Sequence, residues 1–313
     1  MHLAGCRVTL ADRTEIWRGL WPCRGRVGRM KWRVGAVTIT KIVELESTGG
    51  TRFILPQAVP DVIRGMEWLI PRYATAEGRL RMSIHSYVVE ADGRRIVVDT
   101  GLGNGKRGRH ILAWNNLNTP YLFKLTEAGF ASETIDTVVC THLHVDHVGW
   151  NTRLVDDEWV PTFPKARYLF GRTEYDHWSN PGVSAEQRAV FADSVKPVVD
   201  AGKSELIADE YRVSESVSTF PTPGHSPGHL SILIRSQGEE AVLLGDVAHH
   251  PCQFERLDWS SSFDSDPEGS AETRERVFRR FAGTRTRIFG GHFDPGYAVA
   301  VGNSFRLLQT PEK

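Results

Sequence analysis

The chain has 313 residues, 40% hydrophobic and 24% charged, with 38 basic residues balancing 38 acidic ones. That composition suits a globular fold and excludes disorder as the dominant state. Zero net charge argues against a nucleic-acid binder that works by bulk electrostatics, and no run approaches the roughly 18 apolar residues of a membrane span. Residues 1–30 carry scattered arginines and lack the apolar core of a secretory signal. They are expected to be a disordered N-terminal extension, ahead of a single folded domain over 31–313.

Val37 to Leu45 alternates and is β-branched, which predicts a strand. Residues 49–82 hold several Gly and Pro and little periodicity, so they read as a loop or lid with short helical pieces near Asp61 to Leu69. Ser83 to Glu90 and Arg95 to Asp99 predict a hairpin closed by Ala91-Asp92-Gly93. A helix is expected over Leu117 to Ala128, ended by Gly129, and a buried strand over Thr137 to Thr141. Further strands are expected at Ala166 to Phe170, Ser216 to Phe220, Leu230 to Arg235 and Ala241 to Gly245, with Thr286 to Phe289 as the last core strand. Helices are expected at Ser184 to Val195, capped by Ser184, and at Pro267 to Phe281. Mixed hairpins and helices of this kind indicate a layered α/β fold with mixed sheets. Four cysteines form no CxxC pair. Free thiols fit a reducing compartment, so a cytoplasmic location is expected.

The histidines carry the chemistry. Thr141 to Trp150 reads THLHVDHVGW and packs His142, His144, Asp146 and His147 directly behind a buried apolar strand. Residues two apart in an extended segment face the same way, so His142 and His144 can reach one metal ion together. Imidazole and carboxylate donors suit zinc, and also iron or manganese. Downstream, three strand ends offer further donors: His225 in TPGHSPGH, Asp246 in LLGD and His292 in IFGGH, each beside a glycine.

In this order the motifs resemble those of the metallo-β-lactamase fold hydrolases, over residues 36 to about 300. The resemblance implies a four-layer αββα sandwich of two mixed β-sheets flanked by helices, with a dinuclear site, normally two zinc ions, at one edge. It implies one metal on His142, His144 and His225, a second on Asp146, His147 and His292, and Asp246 bridging them. Asp99 in VVDTG would orient a ligand from behind. The expected reaction is hydrolysis of a small lactone or ester by a metal-bound hydroxide, with Asp146 also acting as the catalytic proton carrier. Ser226 sits beside His225, but no general base partners it in sequence, so it is not expected to be a nucleophile.

The branch resembled most is that of acyl-homoserine lactonases and organophosphate hydrolases. His249 and His250, after Asp246, are candidates for the substrate pocket. The resemblance also implies a tyrosine near the substrate, from among Tyr168, Tyr175 and Tyr211, with Tyr175 carried forward. Phosphotriester, aryl-ester or aryl-halide hydrolysis by the same fold is the first alternative. An iron-dependent oxidoreductase of the persulfide-dioxygenase kind is the alternative from another class. The expected partner is a small-molecule substrate, with neither nucleic acid nor membrane, and a homodimer is implied by analogy alone.

Overall fold

The structure, a computed structural model, describes residues 30–49 and 53–311. Apart from Met30, the expected N-terminal extension lies outside the described residues. In chain order the strands are β1 (Lys31–Val34), β2 (Val37–Thr48), β3 (Arg81–Ala91), β4 (Arg94–Val98), β5 (Thr137–Val139), β6 (Thr152–Val155), β7 (Glu158–Pro161), β8 (Arg167–Gly171) and β9 (Ser204–Ile207). They continue with β10 (Val217–Pro221), β11 (Leu230–Ser236), β12 (Glu239–Leu243), β13 (Arg287–Phe289), β14 (Tyr297–Val301) and β15 (Ser304–Leu308). One sheet has the order β1-β2-β3-β4-β5-β8-β9 and the other β10-β11-β12-β13. β6-β7 and β14-β15 are separate hairpins. The first sheet is antiparallel from β1 to β4 and parallel from β4 to β9, and β12 pairs parallel with β13.

Side-chain alternation explains the layers. Successive residues of a strand face opposite sides of its sheet. Ile96, Val98, Val139 and Leu169 point inward and meet Ile232, Ile234, Leu243 and Phe289 of the other sheet. Their neighbours Val97, Val138, Tyr168 and Phe170 face outward and pack under Tyr121, Leu125, Val190 and Val198. On the far side Leu233, Val242 and Ile288 pack under Val277, Phe278 and Phe281. Apolar residues on both faces of both sheets make this a helix–sheet–sheet–helix sandwich.

The helices are α1 (Pro60–Arg64), α2 (Tyr121–Glu127), α3 (Val145–Val148), α4 (Arg172–Trp178), α5 (Ala185–Val190), α6 (Lys196–Asp200), α7 (Cys252–Glu255) and α8 (Pro267–Phe281). Among the described residues, no helix is long and apolar enough to cross a membrane. Ser184 caps α5 by accepting from the Gln187 N–H, and Asp266 caps α8 by accepting from the Gly269 N–H. The helix expected from Leu117 starts only at Tyr121, because Pro120 holds the residue before it out of the helical region. The helix expected over Ser184 to Val195 changes to a π turn at Phe191–Val195 before α6. Pro197 has no N–H to give to Asp193 O, four residues back. That carbonyl accepts from Lys106 Nζ instead, at 2.8 Å.

The β3–β4 turn holds Asp92 and Gly93 at φ 52° and 73°, the geometry of a tight two-residue hairpin. A hairpin, β14-β15, follows the strand expected to be last. Irregular pairing between Val43 and Leu45 in β2 marks a bulge. There Glu44 turns to accept from the Leu102 N–H at 2.6 Å and Trp150 Nε1 at 2.7 Å, pinning the loop behind Asp99.

Candidate metal centre and cavity

Parallel strands release the chain at the same edge of a sheet, where open α/β folds place their ligands. Asp99 follows β4, residues 141–147 follow β5, Asp246 follows β12 and His292 follows β13, while His225 lies in the β10–β11 connection. Two glycines let these segments close up. A Cβ on Gly245 (φ +57°) would lie 2.6 Å from His229 Nε2, and one on Gly291 would lie 2.6 Å from Asp246 Oδ1.

The seven ligand candidates converge in two groups. Nε2 of His225 lies 3.2 Å from Nε2 of His142 and 2.8 Å from Nδ1 of His144. In the second group His147 Nε2 is 3.8 Å from Asp146 Oδ1, and His292 Nε2 is 3.7 Å from Asp146 Oδ2. Asp246 stands between them: its Oδ2 is 3.5 Å from His225 Nε2 and 3.4 Å from His147 Nε2, and its Oδ1 is 3.1 Å from His292 Nε2.

Each ring except His144 has its far nitrogen tied to an oxygen. His142 Nδ1 is 3.1 Å from Thr141 Oγ1, His147 Nδ1 is 2.9 Å from Asp99 Oδ2, His225 Nδ1 is 2.8 Å from Asp264 Oδ1 and His292 Nδ1 is 3.2 Å from Ser83 O. A ring that donates there presents a lone pair to the centre. Facing lone pairs at such short range repel unless a cation lies between them. Tetrahedral zinc holds imidazole nitrogens about 3.3 Å apart, close to the spacings in the first group. Nε2 of His147 and Oδ1 of Asp246 are buried with no hydrogen-bond partner. The residues therefore fit a pair of divalent cations, with Asp246 able to touch both.

The electrostatics agree. Burial pushes His142 and His144 well below the usual imidazole range, so they are neutral and available as ligands. Burial also opposes a charged His147, yet Asp246, Asp99 and Asp146 together raise its pKa well above the ordinary value. The field that holds a proton there would equally attract a cation. His229 serves the same edge: its Nδ1 is 2.8 Å from Thr222 Oγ1, and its Nε2 accepts from the Asp246 N–H at 2.9 Å.

Above the centre lies a cavity of about 310 Å³. His144, Asp146, His225, Asp246, His249 and His292 form its polar floor, and Ile54, Ile111, Trp114, Val145, Trp178 and Phe263 its apolar walls. Ile54 comes from the expected loop or lid, 49–82, and Trp114 from the loop after β4. Among the described lining residues there is no Lys or Arg, and the acid outside the centre is Glu186.

Three expectations about the pocket are corrected. His250 does not line it: its Nε2 lies 2.8 Å from Tyr73 O and its Nδ1 accepts from the Cys252 N–H, so both nitrogens serve the backbone. Tyr175 packs against Phe191, away from the cavity. Tyr168 donates to Asn151 O and Tyr211 to Glu205, so none of the three candidate tyrosines reaches the lining. His249 does reach it, with Nε2 3.2 Å from Asp246 Oδ2. Ser226 donates to the buried carboxylate of Glu174. Sequence reasoning did not anticipate Glu174, Asp264 or Glu186, since single acids in helices and loops carry no local signature.

The sequence pattern of the Metallo-beta-lactamase superfamily matches residues 80–292. The chain belongs to that superfamily. The match takes in all seven ligand candidates and the strands from β3 to β13. An N-acyl homoserine lactonase of Bacillus thuringiensis is 24% identical over 225 residues, covering 68% of this chain and 82% of the relative. Among solved structures, the hydrolase AbOPH of the beta lactamase superfamily superposes with a TM-score of 0.73 at 22% identity, over 91% of this chain and 98% of that one. AidC, a dizinc quorum-quenching lactonase in complex with a product, gives the same TM-score at 20% identity and the same coverage. The αββα sandwich expected from the motifs is the superfamily's fold, and the chain is a hydrolase of that fold.

Proposed function

We propose that the chain is a dinuclear metal-dependent hydrolase that opens small uncharged lactones or esters, with zinc as the metal. The observation that carries this reading is the pair of donor groups sharing Asp246 on the floor of a largely apolar cavity with no Lys or Arg among its described lining residues. The sequence likeness to acyl-homoserine lactonases supports it. The first ion would sit on His142, His144 and His225 and the second on Asp146, His147 and His292, with Asp246 between them. When bound there, two such cations would lower the pKa of a water toward about 7 and polarise a carbonyl oxygen.

The chain's own residues do the rest. Asp146 is partly open to the cavity and is placed to take a proton from the attacking water and return it to the leaving alkoxide. His249 steadies Asp246 from a third side. Trp114, Trp178, Ile111 and Phe263 hold the apolar arm of the substrate and exclude water around the reacting carbonyl. A substrate with an anionic tail finds no lysine or arginine among the described lining residues and meets Glu186, which disfavours β-lactams and glutathione thioesters. The aromatic walls also suit aryl esters and aryl phosphotriesters, so these form the second reading.

The test is hydrolysis of an acyl-homoserine lactone, an aryl ester and a phosphotriester by zinc-loaded protein and by Asp246→Ala. Lactone or ester turnover that falls to background in the variant supports the proposal. Zinc-loaded protein inert on all three, or activity found only with iron, would overturn it.

A further inference from the structure

We propose that Asp264 is a positioning residue that fixes His225, and through it the His142–His144–His225 half of the centre, with Arg274 holding Asp264 in place. This rests on the metal-centre reading above. The other half has the Asp99–His147 pair at 2.9 Å, and Asp264 supplies its counterpart, 2.8 Å from His225 Nδ1. The paired Asp264 and His225 side chains are 0% and 2% exposed, so water does not compete for the bond.

The surrounding backbone is built for this contact. Asp264 lies in the loop before α8, where the Ser265 N–H donates to His225 O and the Asp266 N–H to Gly224 O, each at 2.9 Å. The second carboxylate oxygen accepts from the Ser261 N–H at 2.9 Å, which leaves Oδ1 aimed at the imidazole. With Nδ1 donating to that oxygen, the Nε2 lone pair of His225 must face His142 and His144.

Arg274, on α8, is fully buried, and one of its nitrogens is 3.8 Å from Asp264 Oδ2. It donates to Val247 O at 2.9 Å, to Leu257 O at 2.6 Å and to Ser270 Oγ at 3.1 Å. Val247 follows Asp246 directly. A single guanidinium thus ties the segment of the shared carboxylate to the partner of His225, so α8 sets the spacing between two donors. His225, His249 and Asp264 also converge closely enough to suggest a further cation. Arg274 places a fixed positive charge against Asp264, so the group is read as support for His225 rather than as a third site.

The experiment is zinc titration of the whole chain against a chelating dye, for the wild type, Asp264→Asn, Asp99→Asn and the double variant. Asn is nearly isosteric with Asp, and circular dichroism checks the fold. Asp264→Ala is the second variant at the same position. The expected result is that the wild type binds two ions and Asp264→Asn weakens one of them by about 10- to 100-fold. Asp99→Asn should weaken the other, and the double variant both. Two unchanged affinities in both folded Asp264 variants would overturn the proposal, as would a double variant no weaker than Asp99→Asn alone. A wild-type chain that fails to bind two ions removes the metal-centre reading itself, which is a distinct outcome.

Discussion

Glu174 shows how much of the centre depends on residues that carry no motif. Its buried carboxylate accepts from the Leu143 N–H at 3.0 Å and from Trp178 Nε1 through one oxygen. Through the other it accepts from Ser226 Oγ at 2.7 Å and the Gly228 N–H at 3.0 Å. Leu143 lies between two ligand candidates, and Ser226 and Gly228 flank the loop of a third. Trp178, a cavity wall, packs on His144 with ring centroids 5.1 Å apart. Glu174→Ala would leave two buried N–H groups without acceptors, at about 1–3 kcal/mol each. We expect urea unfolding of the metal-free variant to show a loss of about 3–5 kcal/mol; a loss below about 1 kcal/mol would mean that water replaces the carboxylate. The sequence could not reveal this residue. Three histidines and an aspartate within six positions are improbable without a metal, whereas one Glu in GRTEYDHW looks like any solvated helix face. Asp264 is hidden in the same way, two residues before the recognisable helix cap Asp266.

Among the elements, the loop between β4 and α2 is tied to the rest of the fold by buried side chains. Lys106 Nζ is buried over the Trp159 ring at 3.6 Å and donates to Thr152 Oγ1 at 2.6 Å. Arg109 pairs with Asp193 at 2.9 Å, and Glu186 accepts from the His110 N–H at 2.6 Å. The loop delivers Ile111 and Trp114 to the cavity, so these contacts fix one of its walls. Burial lowers the Lys106 pKa to about 7, with Asp193 opposing the shift and Arg109 adding to it. The unfolded lysine titrates near 10.5. Below pH 7 both states are protonated and the cost of burying the charge is fully present. Between pH 7 and 10.5 the folded chain has shed a proton that the unfolded chain keeps, so stability rises with pH. Relative to Lys106→Met, the wild type should gain roughly 1–2.5 kcal/mol from pH 7 to pH 9, measured by denaturant unfolding. A difference between the two proteins that is flat across this range would contradict the account. This clamp was not legible in sequence, because it depends on a carbonyl freed by Pro197, about 90 residues away in the chain.

At the scale of the whole molecule, the strands with strong alternation or apolar runs were legible, and they build both sheets. The elements that escaped are short or polar. β9 (Ser204–Ile207) shows no clean alternation, and the β6–β7 turn uses Asp156 and Asp157 at φ 49° and 65° without the glycine that usually marks such a turn. The seven ligand candidates were legible because four crowd into six positions behind a buried strand and each of the other three sits beside a glycine at a strand end. The pocket was legible only in outline: which tyrosine or histidine reaches it depends on side-chain directions that motif order does not encode. His250 and Tyr175 point elsewhere for that reason, while His249, one residue from His250, lines the floor. Two donor groups from the edges of two sheets meet at one carboxylate, that of Asp246. Equilibrium dialysis against zinc, comparing the wild type with Asp246→Asn, tests it most directly. Two tightly bound ions per wild-type chain are expected, with a clear loss of affinity for both in the variant. A single ion in the wild type, or two ions held equally well by Asp246→Asn, would contradict it.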